Sequence, residues 1–164
     1  MNRVEQMYIK AYITDTLVHK ATLLSVAQKM VEYLFENERG GEAIELAKRC
    51  FVHDNSKLES EELYNFAELM SQTKDSKRKP LTDNQKKLIE LHWKNNRHHP
   101  EYHKHQEDMT EIDIMEMCCD WYARTVQFKT NFMEIVEAQQ NERFHFDEET
   151  YKKIKTYCQI LVEN

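Results

Sequence analysis

With 164 residues, of which 40% are hydrophobic and 32% are charged, the chain can bury a core and form one ordinary domain, which excludes a wholly disordered protein. Its formal net charge of -6 argues against broad, sequence-independent binding of nucleic acid, although a local basic patch can still hold a small anion. Four cysteines without a C-x-x-C spacing, and the lack of any apolar segment of signal-peptide or transmembrane length, predict a reduced, cytoplasmic protein outside the membrane.

Turn-forming residues are scarce along the chain. Two glycines and two prolines are too few for a sheet-rich fold, so long helices are predicted. In the first helix, apolar residues recur at three- and four-residue spacing, and His19 shares the face of Leu23. Gly40 and Gly41 are expected to stop this helix. The prediction is an all-α fold, a single compact bundle of about six helices that spans residues 1–164.

The adjacent pair His53 and Asp54 lies where the second predicted helix ends. That helix starts near Glu42, and Ser60 with the two glutamates that follow it is typical of the start of a third helix. A His-Asp pair at such a place has a simple structural explanation, because the aspartate can close a helix through side-chain hydrogen bonds to the backbone. Other residues of the chain therefore decide whether the pair has a chemical role.

A basic segment connects the third and fourth predicted helices. This segment, Lys74–Leu81, is expected to be a surface connection, with steering of an anionic substrate as the functional alternative. Thr82 and Gln85 form a capping-box pattern that starts the fourth helix. Because Pro100 disfavours helical backbone at the residue before it, this helix is expected to end near the preceding double histidine.

Two more helices are predicted towards the C-terminus. Thr110 and Asp113 form a second capping box that opens a fifth helix, predicted to be the longest, and Asp120 lies on a stripe next to its apolar one. The last predicted helix covers about residues 148–162, with Asp147 as its N-cap.

Five of the eight histidines fall on a core face or near a predicted helix end. They are His19, His53, His92, His98 and His99. A single histidine on an apolar face is more typical of a hydrogen-bonded core residue than of a metal ligand. Together with Asp54 and Asp120 the five indicate a site, because burying Asp120 in a core stretch without a metal or a partner would cost several kcal/mol.

The order of these residues resembles the HD-domain superfamily of metal-dependent phosphohydrolases, an all-helical fold whose metal ligands are a histidine, an adjacent His-Asp pair and a distal aspartate. The resemblance covers about residues 17–124. HDNSK, residues 53–57, is similar to the HD-x-G-K element of the HD-GYP cyclic-dinucleotide phosphodiesterases, with Ser56 in place of glycine and without the Gly-Tyr-Pro signature. HDNSK, LHWKNNRHHPEY and MEMCCDW together look more like an uncharacterised family of short HD-like bacterial and phage proteins with HD-x-SK, H-x(5)-HH and EM-x-x-DW elements.

The resemblance implies a metal site. His19, His53, Asp54 and Asp120 are expected to bind one ion, with Asp54 also able to bridge to a second ion or to orient the nucleophile. Neutral imidazole and carboxylate ligands suit a divalent transition metal, which we expect to be Mn, Fe, Co, Ni or Zn. One ion is predicted, and a second is left open.

The roles of His92, His98 and His99 decide whether there is a second ion. They lie closer together in the sequence than the corresponding histidines of binuclear members of the superfamily. On one continuous helix, His92 and His99 would share a face while His98 would point about 100° away, so two of the three are expected to meet one ion. The alternatives are phosphate binding and the support of other metal ligands.

Three more residues are candidates for binding or support, each with a structural alternative. Lys57 is predicted to hold a phosphate oxygen and stabilise the transition state, against a solvated surface lysine. Asn96 can contact substrate or a metal-bound water, or cap a helix. Glu116 is predicted to orient a histidine ligand, although with Asp120 and Arg124 it can also form an intrahelical ladder of salt bridges, which is the preferred interpretation for Arg124.

The predicted function is a metal-dependent phosphohydrolase that acts on a nucleotide or a related phosphate ester, with Asp54 and Lys57 as catalytic residues and a metal-activated water as nucleophile. A di-iron oxygenase of the HD type is the first alternative, since the superfamily includes oxygenases. A non-catalytic sensor that binds a metal and a nucleotide is the second. The expected partner is a small phosphorylated substrate, and a homo-oligomer is left open.

Overall fold

A computed structural model describes residues 2–73 and 80–163, and the side chains of residues 2–70 and 80–163. The described residues form seven α-helices and no β-strand, which confirms the all-α fold. The helices are α1 (Arg3–Glu36), α2 (Gly40–Val52), α3 (Ser60–Thr73), α4 (Asp83–Asn95), α5 (Glu111–Phe128), α6 (Phe132–Ala138) and α7 (Glu148–Glu163). The predicted basic connection lies mostly outside the described residues, including its four basic residues Lys74, Lys77, Arg78 and Lys79.

The predicted caps are confirmed at three helix starts. Thr82 and Gln85 exchange hydrogen bonds between side chain and backbone, with N···O distances of 2.9 and 3.3 Å, and open α4. Thr110 and Asp113 form the same box at the start of α5. Asp147 Oδ1 accepts two backbone N–H groups at the start of α7. Each such cap contributes about 1 kcal/mol, so the local sequence alone sets where these helices begin.

The glycine pair begins a helix instead of ending one. The prediction that Gly40 and Gly41 stop the first helix is wrong, because α1 ends at Glu36 and α2 starts at Gly40. The reversal occurs over residues 37–39, where Glu38 has a left-handed φ of 61°. A Cβ at Gly40 would lie 3.2 Å from the ring of Phe35, so the glycine permits close packing at this corner.

The longest helix is α1, with 34 residues, whereas α5, which was expected to be the longest, has 18. No glycine or proline interrupts the segment 3–36, so nothing local ends the helix before its corner. One face of α1 is buried along most of its length. Leu23, Met30 and Leu34 are fully buried on that face, while Tyr12 and His19 extend it towards the N-terminus with polar side chains.

The core lies mainly between α1, α2, α5 and α7. Each buried leucine or methionine in it stabilises the fold by about 1.5–3 kcal/mol relative to an exposed position. The four cysteines are free and buried, as expected for reduced thiols. Among the described residues, every helix is too short or too polar to cross a lipid bilayer.

The sequence prediction missed α6. This helix has only 7 residues, and it buries Phe132 and Val136 against the core. A turn of π-helix, Gln139–Phe144, follows it directly. Two buried positions four residues apart are too few to reveal a periodicity, which is why about six helices were expected instead of seven.

Candidate metal centre

The turn after α2 directs two neighbouring side chains into the interior. His53 ends the helix with φ -46° and ψ 130°, and Asp54 then takes a left-handed φ of 53°. For a residue with a Cβ this conformation costs of order 1–3 kcal/mol. Both side chains are buried as a result, although adjacent residues in a regular helix or strand would point in different directions.

Two other helices bring a histidine and an aspartate to this turn. His19 of α1 and Asp120 of α5 meet with 2.9 Å between Nε2 and Oδ1. His53 Nε2 lies 3.4 Å from Asp54 Oδ2 and 3.7 Å from Asp120 Oδ1. The four residues predicted to hold one ion therefore lie together, although they come from three separate parts of the chain.

The premise that His92, His98 and His99 share a helix is wrong. Helix α4 ends at Asn95, and Asn96 takes an extended φ of -131° because its Nδ2 donates to the carbonyl oxygen of His92, at 2.8 Å. The two later histidines therefore lie on a non-helical turn. The directions of their side chains are therefore set by this turn and not by the 100° spacing of a helix.

All three of these histidines reach Asp54 or each other. His92 and His99 meet with 3.1 Å between their Nε2 atoms, and His92 Nε2 lies 3.5 Å from Asp54 Oδ1. His98 Nε2 lies 3.7 Å from the same oxygen of Asp54 and 4.0 Å from Asp120 Oδ2. His92 and His99 are the pair placed to meet one ion with Asp54, and their binding of an ion stays a prediction.

The seven side chains form three overlapping groups, in each of which one ligand atom per residue lies within 4.8 Å of the others. The groups are His19 with His53 and Asp54, His53 with His98 and Asp120, and Asp54 with His92 and His99. The first two share His53, and Asp54 links the first to the third. The arrangement offers one larger ligand set and a second, smaller one on the far side of the Asp54 carboxylate.

Unpaired polar atoms test whether a metal ion fits these groups. Among the described residues, His53 Nε2, His98 Nε2 and Asp54 Oδ1 are buried without a hydrogen-bond partner. Each unpaired buried group costs about 1–3 kcal/mol. Two atoms bound at about 2.1 Å to one ion lie at most about 4.2 Å apart. The Nε2 atom of His53 meets that limit with Asp54 Oδ2 at 3.4 Å and with Asp120 Oδ1 at 3.7 Å. The residues present therefore fit a divalent transition metal.

Two carboxylates contact the Nδ1 atoms of histidines in the cluster. Glu116 Oε1 lies 2.9 Å from Nδ1 of His53 and 3.4 Å from Nδ1 of His98. Glu62 Oε2 lies 2.9 Å from Nδ1 of His92. Both acids are buried, and both leave the Nε2 atom of their histidine facing the cluster. Histidines that bind metals in proteins commonly donate their second nitrogen to a carboxylate in this way.

The cluster also perturbs the protonation of its members. Burial alone lowers the pKa of His53, but Asp54, Asp120 and Glu116 outweigh it and raise that pKa to about 10. Burial and the neighbouring His98 and His92 lower the pKa of His99 to about 2. Burial opposes ionisation of Asp54, yet His53, Lys57 and the other histidines hold its pKa well below the usual range. The carboxylate of Asp54 is therefore charged at neutral pH.

Lys57 and Asn96 lie beside the cluster with different partners. Lys57 Nζ pairs with Asp54 Oδ2, and only 14% of its side chain is exposed, so it is not a solvated surface lysine. Asn96 caps α4 and donates to Ser56 Oγ at 2.8 Å, which ties α4 to the turn that carries Asp54. The capping role anticipated for Asn96 is thus present in the structure.

Several residues around the cluster were missed by sequence reasoning. Glu62 was considered only as part of a helix start, and nothing in the pattern distinguishes it from Glu61. Lys20 follows His19 and pairs with Asn55 next to Asp54, across a gap of 35 residues in the sequence.

Arg124 pairs with Asp15 of α1 at 3.3 Å, so the predicted intrahelical ladder with Asp120 is not the contact that it makes.

Two large grooves on the described part of the chain lie away from the cluster. A groove of about 740 Å³ lies between α3 and α4, and another of about 740 Å³ lies between α3 and the start of α1. Neither is lined by any of the seven histidine and aspartate residues. Asp120 and His99 are the members that are partly exposed, so the cluster opens on their side.

Comparisons with known proteins place the chain in a family without assigning a reaction. No curated protein and no solved structure matches the chain significantly. A family model matches residues 8–163, which is nearly the whole chain and includes all seven residues of the cluster. The chain therefore belongs to the family of unknown function (DUF5662).

Proposed function

We propose that the protein is a metal-dependent phosphohydrolase of the HD type that acts on a nucleotide or a related phosphate ester. One observation carries the proposal: two ligand groups, with unpaired nitrogen and oxygen atoms, share the carboxylate of Asp54. The likeness of the HDNSK, LHWKNNRHHPEY and MEMCCDW segments to HD-type proteins supports the same assignment.

In this proposal His19, His53, Asp54 and Asp120 hold the first ion, and Asp54 with His92 and His99 offers a position for a second. His98 lies between the two groups and completes the first. A bound divalent metal would lower the pKa of its water so that hydroxide is available near neutral pH. Glu116 and Glu62 keep the histidines in the tautomer whose Nε2 atom faces the cluster.

Two lysines are suited to hold the anionic substrate. Lys57 already pairs with Asp54, and Lys20 lies on the other side of the same turn. A phosphoryl group that reaches the carboxylate of Asp54 would meet the positive charge of these lysines. Preorganised cations stabilise the charge that develops during phosphoryl transfer.

The decisive experiment combines metal content with phosphate release. We expect purified protein to hold a divalent transition metal, and to release phosphate from at least one nucleotide when Mn, Co, Ni or Fe is supplied. Asp54→Ala should lose both properties, whereas Asp83→Ala, at a side chain 90% exposed on α4, should keep both. Protein without bound metal under all these conditions would overturn the proposed site.

The same experiment separates the two alternatives. The second ligand group beyond Asp54 also suits a di-iron oxygenase, which would consume oxygen and would require both ions. A sensor would bind metal and nucleotide without turnover. Activity that persists without oxygen excludes the oxygenase, and any turnover excludes the sensor.

We also propose a cytoplasmic location, which four free thiols support because disulfides are rare in that compartment. The proposed partner is the small phosphorylated substrate itself.

A further inference from the structure

A buried ionic network lies behind the histidines of the first ligand group. Glu116 uses Oε1 for His53 and His98, and its second oxygen, Oε2, pairs with Arg49 Nη2. The other terminal nitrogen of Arg49 donates to Asp113 Oδ1 at 2.9 Å. One guanidinium on α2 therefore holds two carboxylates that lie on adjacent turns of α5.

Asp113 extends this network to the turn that carries His98 and His99. Its carboxylate is fully buried and accepts two bonds from Arg97, at 2.8 and 3.0 Å. It also accepts from the backbone and the hydroxyl of Thr110, at 2.9 and 2.7 Å. Because Arg97 directly precedes the double histidine, Asp113 anchors the start of that turn to α5.

A buried ionic network of this kind adds little to the stability of the folded protein. Burying two carboxylates and an arginine costs several kcal/mol per ion, which their attraction often only offsets. Its geometric effect is more specific, because the planar guanidinium fork binds two acceptors in fixed directions. With Oε2 held by Arg49, Glu116 can present only Oε1 to the two histidines.

We propose that Arg49 is a positioning residue for the metal ligands: it holds Glu116 so that the Nε2 atoms of His53 and His98 face the same point. The inference rests on the proposed function of these histidines as metal ligands. Arg49 itself does not contact any of the seven ligand residues through an ion pair or hydrogen bond among the described contacts, so its effect passes through Glu116.

The chain offers a matched control in Arg39. This arginine is the residue directly before α2, and it also links α2 to α5, because it pairs with Glu42 of α2 and with Glu111 of α5. Neither acid belongs to the cluster. Loss of Arg39 therefore reports what an inter-helix ion pair contributes to folding, and the difference between the two arginines reports positioning.

The test measures the affinity of the full chain for Co²⁺ and Zn²⁺ by competition with a chelator, in wild type, Arg49→Gln, Arg49→Lys and Arg39→Gln. We expect Arg49→Gln to weaken metal binding roughly 10- to 100-fold, as is typical when a group supporting a metal ligand is lost. Arg49→Lys keeps the positive charge without the planar guanidinium fork, so its metal affinity should lie between those of wild type and Arg49→Gln. Arg39→Gln should bind metal as wild type does, and Arg49→Lys carries the test if Arg49→Gln does not fold.

A second readout does not depend on the metal. In the metal-free protein, the Nδ1–H protons of His53 and His98 should give slowly exchanging, downfield NMR signals in wild type and Arg39→Gln. Arg49→Gln and Arg49→Lys should weaken or broaden them. Unchanged signals, or equal losses of metal affinity in the Arg49 and Arg39 variants, would overturn the positioning role. A wild type that binds no metal overturns the proposed function, and these signals then decide the role of Arg49.

Discussion

Asp54 combines a strained backbone with a buried charge, a combination that stability alone does not explain. Its φ of 53° lies in the region that favours glycine, and its carboxylate is surrounded by histidines and Lys57. Strain of this kind persists where the surrounding structure overrides it, often at functional sites. Here it turns the carboxylate towards both ligand groups at once.

The strain at Asp54 predicts an order of stability between two substitutions. Both Asp54→Gly and Asp54→Ala remove the carboxylate, but only glycine adopts the left-handed conformation without cost. We therefore expect the glycine variant to be more stable than the alanine variant by about 1 kcal/mol. Urea unfolding in the presence of a chelator measures the difference. Equal stabilities would mean that the turn relaxes when the carboxylate is lost.

Asp113 predicts a dependence of stability on pH. Burial opposes its ionisation, but hydrogen bonds from Arg97, Thr110 and Arg49 lower its pKa from the ordinary 3.8 to about 2. Because the folded pKa is the lower one, the stabilisation is complete above the unfolded value and is lost as pH falls through the folded value. Its size is about 2 kcal/mol.

Asp113→Asn removes this titration. We expect the variant to lose about 2 kcal/mol of unfolding free energy at neutral pH and much less near about pH 2. Urea unfolding at a series of pH values, compared with wild type, gives the difference directly. A loss that stays constant across this range would contradict the assignment of the low pKa to Asp113.

At the scale of elements, α1 is the scaffold of the molecule. It packs against α2, α3, α5 and α7, and its buried face passes from core residues such as Leu23 to the proposed metal ligand His19 one turn away. Tyr12 continues the face and stacks on Phe66 of α3, with ring centroids 5.8 Å apart. The position of His19 therefore depends on how the whole helix is packed.

The packing of α1 predicts unequal effects of two similar substitutions. Leu23 is fully buried, whereas Leu17 on the same helix is 53% exposed. Leu23→Ala should cost about 2–5 kcal/mol of unfolding free energy because it leaves a cavity, and Leu17→Ala about 0.5 kcal/mol or less. Urea unfolding of both variants tests the expectation. Similar losses would show that the packing of α1 differs from the one described.

At the scale of the whole molecule, the cluster joins elements that are far apart in sequence. Its seven residues come from α1, from the turn after α2, from α4 and the turn that follows it, and from α5. The unfolded chain cannot hold these residues together, so a bound metal would stabilise the folded state almost exclusively. Removal of the metal would restore the unpaired buried atoms.

Metal binding therefore predicts a shift in thermal stability. Metal at 100 times its dissociation constant should add about 2.7 kcal/mol to the unfolding free energy and raise Tm by several degrees. A chelator should reverse the shift. Asp54→Gly should show little or none, because Asp54 belongs to two of the ligand groups. A wild-type Tm that does not respond to any divalent transition metal would contradict the site.

The sequence by itself determined the starts of several helices and the membership of the cluster. Capping pairs such as Thr82 with Gln85 act over three or four residues, so helix starts are readable locally, and the order of histidines and aspartates singled out seven residues that the fold brings together. Only the tertiary structure decided three other features. These are the directions of the His98 and His99 side chains, the contact of His92 with Glu62 and not with Glu61, and the contact of Arg49 with Glu116. These depend on turn dihedral angles and on packing between helices distant in sequence, which no local pattern encodes.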